Sequence, residues 1–167
     1  MAKKSTADTQ LNPTRHGLDA ETRQSVIELL NARLADAIDL ELQAKQAHWN
    51  VKGPNFIGLH ELFDKVAALA AMYKDEIAER AVMLGGVAVG TSQAVVERTT
   101  LAPYPVGAQD WKSHVDCVST ALAKFGTALR QAIEDADELE DAVTADLFTE
   151  VAHEVDKYMW FVEAHRV

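Results

Sequence analysis

The chain is poor in almost everything that would mark it as secreted, membrane-bound or coated with nucleic acid. It has one cysteine, Cys117, in 167 residues, so no internal disulfide can form and a reducing compartment fits. Cys117 falls in an apolar-periodic stretch and reads as a buried, inert thiol. No apolar run reaches the roughly 20 residues of a membrane-spanning helix. The opening M-A-K-K-S-T-A-D-T-Q lacks the apolar core of a secretory leader, and a cytoplasmic protein is the expectation. Basic charge is scarce: 16 Lys and Arg face 26 Asp and Glu, a formal net charge of −10. That balance argues against a body that binds nucleic acid through its own surface. Only four prolines and eight glycines are present, and several cluster at two places, leaving long stretches free to form regular structure. There is no internal repeat of fixed period and no low-complexity segment.

What is present is helical periodicity. The length suits one domain, and a 48% hydrophobic content can fill one core. Residues 1 to about 17 are polar and aperiodic, with Lys3, Lys4 and Arg15 outweighing Asp8, so a flexible basic tail is expected ahead of a folded unit over 18–167. Four long helices follow. The first runs from about Asp19, a plausible N-cap, to Lys52, with Val26, Leu30, Leu34, Ile38 and Leu42 on one face. Gly53 and Pro54 end it. The second runs from about Asn55 to Leu84 and stops at Gly85–Gly86. The third covers about Gln109 to Asp135 and the fourth about Asp141 to Ala164. Short connections make antiparallel neighbours of the first pair and of the second pair. The link of roughly 24 residues between the pairs is too long for a turn. It can cross the bundle end to end, with a short helix over Ser92–Arg98 and a rigid Pro103-Tyr104-Pro105. This all-α pattern, four helices with one long crossover, is the ferritin-like arrangement.

The densest chemistry lies between His48 and Glu79. His60 and Asp64 are four apart, as are Asp75 and Glu79, so each pair shares a helix face. Asp64 and Asp75 are eleven apart, close to three whole turns, which puts both pairs on one stripe. Eleven residues rise about 16 Å, whereas metal–ligand bonds are about 2 Å. One helix therefore carries two half-sites that cannot close on each other. An antiparallel copy of the helix, related by a two-fold axis, would set His60 and Asp64 against the Asp75 and Glu79 of its partner. The crossing would fall near Ala67, Ala68, Leu69, Ala70 and Ala71, where small side chains permit close approach.

Each motif has a plainer reading. A carboxylate pair four apart is usually a solvated helix face, and His60–Asp64 alone is more often a local hydrogen bond. Their joint occurrence about an alanine patch favours metal. His48 lies across the Gly53–Pro54 turn from His60 and is either a third ligand or a buried structural histidine. Lys45, one turn earlier, is either paired with a site carboxylate or solvated. Histidine with carboxylate suits iron, manganese or zinc. Glu150 and His153 form one E-x-x-H, the motif of intra-bundle di-iron sites. That site needs a second copy on another helix, which is missing, so the pair reads as surface. His16, His114 and His165 have no ligand-like neighbourhood. Trp49, Trp111 and Trp160 read as packing residues, with Trp49 also close enough to His48 for electron transfer.

H-W-N-V-K-G-P-N-F-I-G-L-H-E-L-F-D resembles the first signature of the Dps family, the mini-ferritins named as DNA-binding proteins from starved cells. D-E-I-A-E-R-A-V-M-L-G-G-V-A resembles the second, and T-A-D-L-F-T and D-K-Y-M-W-F-V-E-A also look like Dps. Lys74 departs from the pattern, which usually has an apolar residue there. The resemblance implies a shell of twelve identical subunits in tetrahedral symmetry, with ferroxidase centres at two-fold interfaces. It implies His48, His60 and Asp64 from one subunit as catalytic metal ligands, with Asp75 and Glu79 from the partner. Lys45 and Trp49 would stand behind them. It implies oxidation of ferrous iron, typically by hydrogen peroxide, and storage of ferric mineral; the donor set itself admits zinc or manganese as competitors. Among Glu134, Asp135, Asp137, Glu138, Glu140, Asp141 and Asp146, a group that otherwise reads as a solvated acidic loop, Asp146 best matches the acidic residues that line three-fold pores. Some members bind DNA without sequence preference through lysine-rich tails, and are then nucleoid-associated. Here Lys3, Lys4 and Arg15 would carry that role. The alternative is a DNA-compacting protein in which metal is secondary.

Overall fold

The computed structural model describes residues 11–108 and 110–166. The long helices are α1 (Ala20–Asn50), α2 (Phe56–Met83), α4 (Trp111–Glu138) and α5 (Ala142–Glu163), with the short α3 (Ser92–Arg98) in the crossover. All but α2 begin where a side chain satisfies an amide that the helix leaves free. Asp19 accepts from the Thr22 N–H, Asp110 from Ser113, Asp141 from Thr144 and Thr91 from Ala94. The sequence-derived ends agree within three residues, and α3 has the expected bounds. The final Lys52 of the first expected helix is not helical: α1 stops before Val51–Pro54 at a C-cap in extended conformation. α4 starts after its Asp110 cap, and the expected opening residue of the third helix, Gln109, lies outside the described residues.

α1 pairs with α2 and α4 with α5, while α1–α4 and α2–α5 contacts close the bundle. Phe63, Phe125 and Phe148 fill its centre with Leu30, Leu59, Ile77, Leu122 and Leu129. Leu42 does not belong to the inner face of α1. It is exposed, and Leu40 and Ala44 face inward instead, because α1 is covered by the crossover as well as by two helices. That third contact is polar. The buried Asn31 donates to the Val87 carbonyl and accepts from the Val89 N–H. Asp36 accepts from the Thr100 N–H, Asp39 from the Thr99 hydroxyl, and Gln43 donates to the Ala102 carbonyl. These residues, three to five apart, satisfy a backbone that has no secondary structure of its own.

Lys3, Lys4 and the expected mobility of residues 1–10 lie outside the described residues. Leu11 and Leu18 pack against the core, and the Asn12 N–H donates to the Gly85 carbonyl at 2.7 Å. Gly85 has φ +86, and a Cβ there would stand 2.7 Å from the Asn12 carbonyl oxygen, so only glycine fits without displacing the segment. Among the described residues no helix is long and apolar enough to cross a membrane.

Arg80 closes the far end of the bundle. Its guanidinium donates to both Asp141 oxygens at 2.8 and 2.9 Å and to the Thr144 hydroxyl at 3.0 Å, and all three residues are buried. Burial pushes the Asp141 carboxyl up, but the hydrogen bonds from Thr144 and Arg80, with the Arg80 charge, outweigh it. The carboxyl titrates below its ordinary value of 3.8. A carboxylate with a lower pKa folded than unfolded stabilises the fold above its unfolded pKa, and that stability is lost as pH falls through the folded value. Asp141→Ala leaves a buried guanidinium without its counter-charge and is expected to cost about 3–5 kcal/mol. The urea midpoint should fall at neutral pH, and the variant's remaining stability should depend less on pH below about 4.

Candidate metal centre

The turn between α1 and α2 brings His48 and His60 together. Their rings stack at 3.8 Å between centroids, 20° from parallel. Each ring reaches the other residue's backbone: the His48 Nδ1–H donates to the His60 carbonyl at 2.7 Å, and the His60 Nδ1–H to the His48 carbonyl at 2.9 Å. A carbonyl oxygen can only accept, so both Nδ1 atoms carry protons. In the neutral ring this tautomer leaves the lone pair on Nε2, the form in which imidazole binds a metal. The helix end helps, because the last carbonyls of α1 have no partner within the helix, and His48 O is one of them.

Asp64 lies one turn beyond His60 on α2 and is exposed. It is held by the Lys45 ammonium at 2.6 Å. That hydrogen bond, with the Lys45 charge, keeps its carboxyl below the ordinary carboxylate value. Lys45 is thus paired rather than free in solution, and its Nζ also stands 5.8 Å from the centroid of the Trp49 ring. Trp49 is 65% exposed and packs in no core of this subunit.

Asp75 and Glu79 are both exposed on α2, about three and four turns from Asp64. Among the described residues of one subunit, no three His, Cys, Asp or Glu side chains converge to hold a metal ion. Asp64, Ala68, Met72, Asp75 and Glu79 form one exposed stripe, with Ala71 half-buried at its edge. Ala67 and Ala70 are buried in the subunit's own core, Ala67 at 4% exposure, so Ala67 faces the bundle and not a second copy. The small residues left open on the stripe are Ala68 and Ala71.

Other candidates resolve plainly. Glu150 and His153 are exposed, and Glu150 accepts from the Tyr73 hydroxyl at 3.3 Å. Burial, then the neighbouring Glu150, Glu154 and Glu76, push the Tyr73 phenol up to about 12. Asp146 and Arg15 are exposed. Asp141 departs from the solvated acidic loop, since it caps α5 and holds Arg80. Cys117 is half-buried, with burial raising its thiol pKa. Trp160 is exposed, while Trp111 is half-buried and packs on Gly53. Lys74 forms an ion pair with Glu41 on α1. The sequence marked Lys74 only as a departure from the family pattern, and nothing local identified Glu41. The crossed histidine bonds were also missed. Their only sequence signal is two histidines set close on either side of a helix-breaking Gly-Pro.

Residues 27–167 match the family described as a ferritin-like domain. The DNA protection during starvation protein of Agrobacterium fabrum is 43% identical over 91% of this chain and 94% of its own. Mycobacterium smegmatis Dps in a tetragonal form superposes with a TM-score of 0.88 at 36% identity, covering 93% of this chain and 94% of that one. Dps from Microbacterium arborescens in a high iron form gives a TM-score of 0.83 at 33% identity, over 93% and 98%. The fold, the helix pairing and these relatives agree, and the chain belongs to the Dps family of ferritin-like proteins.

Proposed function

We propose that this protein is a ferroxidase and iron-storage shell. It assembles twelve identical subunits and oxidises ferrous iron at centres shared between two of them. The observation that carries the reading is the crossed histidine pair, which prepares two Nε2 lone pairs beside a carboxylate already ionised by Lys45. His48, His60 and Asp64 bind iron from one side, and the partner subunit's Asp75 and Glu79 from the other. Nitrogen and carboxylate donors accept ferrous iron, and the carboxylates stabilise the added charge of the ferric product. Zinc and manganese use the same donors and should compete. Lys45 keeps Asp64 ionised until iron arrives, and the exposed Trp49 lies within electron-transfer reach.

Hydrogen peroxide is the oxidant in this reading. Two ferrous ions give one electron each, two protons are taken up, the O–O bond breaks and two waters form. Iron and peroxide, the two reagents that generate hydroxyl radical, are consumed together, which protects DNA. The relative named for DNA protection supports this outcome, as does the high-iron form of the Microbacterium arborescens protein. Asp146 lines a pore through which iron enters. Anaerobic loading with ferrous iron followed by stoichiometric peroxide should give ferric absorbance with little hydroxyl radical. Radical yield equal to that of free iron would reject the reading.

DNA binding, where it occurs, is carried by Lys3, Lys4 and Arg15, placing the protein in the cytoplasm near the nucleoid. Twelve tails add their weak phosphate contacts by avidity, against an acidic body. Retardation of DNA in a gel should therefore fade steeply with salt. Removing residues 1–10 takes away Lys3 and Lys4 but keeps the Asn12–Gly85 hydrogen bond, and with Arg15→Ala added it should abolish retardation while leaving iron oxidation intact. Retained binding would move the DNA contact onto the shell surface.

A further inference from the structure

A cavity between the end of the crossover and α4 has no part in the iron chemistry proposed above. It measures about 390 Å³ and is open to solvent, a size that suits a small molecule. One wall is helical. Cys117, Thr120, Ala121 and Lys124 line it, and their spacing of three, four and seven residues puts them on one face of α4. The first three have small side chains, which leaves a gap where larger residues would meet the crossover. The opposite wall is Ala102, Pro103, Tyr104 and Pro105.

That second wall is fixed from behind. The Thr100 N–H donates to Asp36 at 2.6 Å, and Gln43 donates to the Ala102 carbonyl at 3.0 Å. The Tyr104 hydroxyl hydrogen-bonds the buried His114 at 2.5 Å. The Ala108 N–H turns back onto the Pro105 carbonyl at 3.0 Å, and the two prolines have their φ set by their rings. A cavity held open in this way costs a ligand little ordering on binding.

The charges around it are unequal. Asp116 and Lys124 are the charged residues of the lining. Asp116 is paired with Arg166 at 3.0 Å. Lys124 is exposed and, among the described residues, takes part in no ion pair. Its neighbours a turn away on α4, Thr120, Ala121, Thr127 and Ala128, carry no charge. Burial pushes the Cys117 thiol and the Tyr104 phenol up, so neither adds a negative charge. Lys124 stands about 10 Å along the helix from Cys117, which leaves room for a flat apolar body beside the ammonium. We propose that this cavity is a binding site for a small aromatic carboxylate, its rings between the Pro103–Pro105 wall and the small residues of α4 and its carboxylate on Lys124. The site needs no iron, and the proposal stands apart from the ferroxidase reading.

The test uses the full chain in its assembled form and 2-naphthoate as probe, followed by calorimetry. Saturable binding is expected, with 2-naphthylmethanol, the same rings without the charge, binding about tenfold more weakly. Lys124→Gln should cost about tenfold for naphthoate, the size of a lost hydrogen bond to a charged group, and little for the alcohol. Thr120→Trp, at an exposed position of the lining, should fill the cavity and abolish binding, with helical content and ferrous oxidation unchanged. Cys117 is the one thiol of the chain, so its alkylation by iodoacetamide reports on this place, and bound naphthoate should slow it in proportion to occupancy. The proposal is overturned if the assembled protein shows no saturable binding, or if Lys124→Gln and Thr120→Trp bind naphthoate like the unmodified protein. Bound naphthoate that leaves Cys117 alkylation unchanged also overturns it. So does a Cys117 that reacts in separated subunits and not in the assembled protein without ligand, because a second copy of the chain would then cover the cavity.

Discussion

Changing His48 and His60 together to alanine is expected to slow ferrous oxidation by roughly 100-fold or more, since losing even a partner behind a ligand costs 10–100-fold in metal affinity or activity. Both Nε2 lone pairs disappear, and so do the two hydrogen bonds that tie the α1–α2 turn. Each net hydrogen bond is worth about 1 kcal/mol, so the fold should survive while the chemistry does not. Asp64 would remain paired with Lys45 and could not bind iron alone. Stopped-flow absorbance at limiting iron, with size-exclusion chromatography as the control for assembly, checks the expectation. An unchanged rate in an intact shell would remove the histidines from the centre.

The second large effect is expected at Ala68. It lies on the open stripe between the half-sites, with Ala71 half-buried beside it. A two-fold axis midway between Asp64 and Asp75 brings each of these residues close to the opposite helix. Ala68→Trp therefore overpacks the crossing twice per dimer, and overpacking costs typically 1–3 kcal/mol at each tight contact. Dimer contact and iron oxidation should fail together, read by light scattering and by initial rate. Ala67→Trp is no test of the crossing, because Ala67 is buried in the subunit's own core and its replacement would damage the fold first. An active, fully assembled protein carrying Ala68→Trp would place the axis elsewhere.

How the fold could be read in advance is clearest at α3 and at the Gly53–Pro54 turn. Proline, glycine and capping residues act through their immediate neighbours, so helix limits were legible to within a turn or less. α1 was harder. Its exposed Leu42 and buried Asn31, Asp36 and Gln43 contradict a simple apolar stripe. Those polar residues answer the backbone of a crossover more than 50 positions away, which no local period encodes. The division of the alanines was hidden for a related reason. Spacing places Ala67, Ala68, Ala70 and Ala71 around one stretch of helix, but only the packed bundle decides which of them faces inward.

The candidate site was half legible. Spacing placed His60 with Asp64 and Asp75 with Glu79, and helix rise separated the two pairs. The pairing of Lys45 with Asp64 and the exchange of hydrogen bonds between His48 and His60 depend on how two helices meet at their ends, so they appear only in three dimensions. Arg80 was invisible for the same reason. It follows Glu79 in sequence and reads as an ordinary surface charge, yet it is buried on Asp141 of another helix pair.

The central claim is that each centre is built from two chains, and co-assembly of two defective subunits tests it most directly. One subunit carries His48→Ala with His60→Ala, and the other Asp75→Asn with Glu79→Gln. Each alone should be nearly inactive. In a dimer of one of each, one centre carries all four substitutions and is dead, while the other combines intact histidines with intact carboxylates. Random equal mixing should therefore restore about one quarter of the centres, and with them about that fraction of the ferrous oxidation rate. A mixed shell no more active than its two parents would contradict a site shared between subunits.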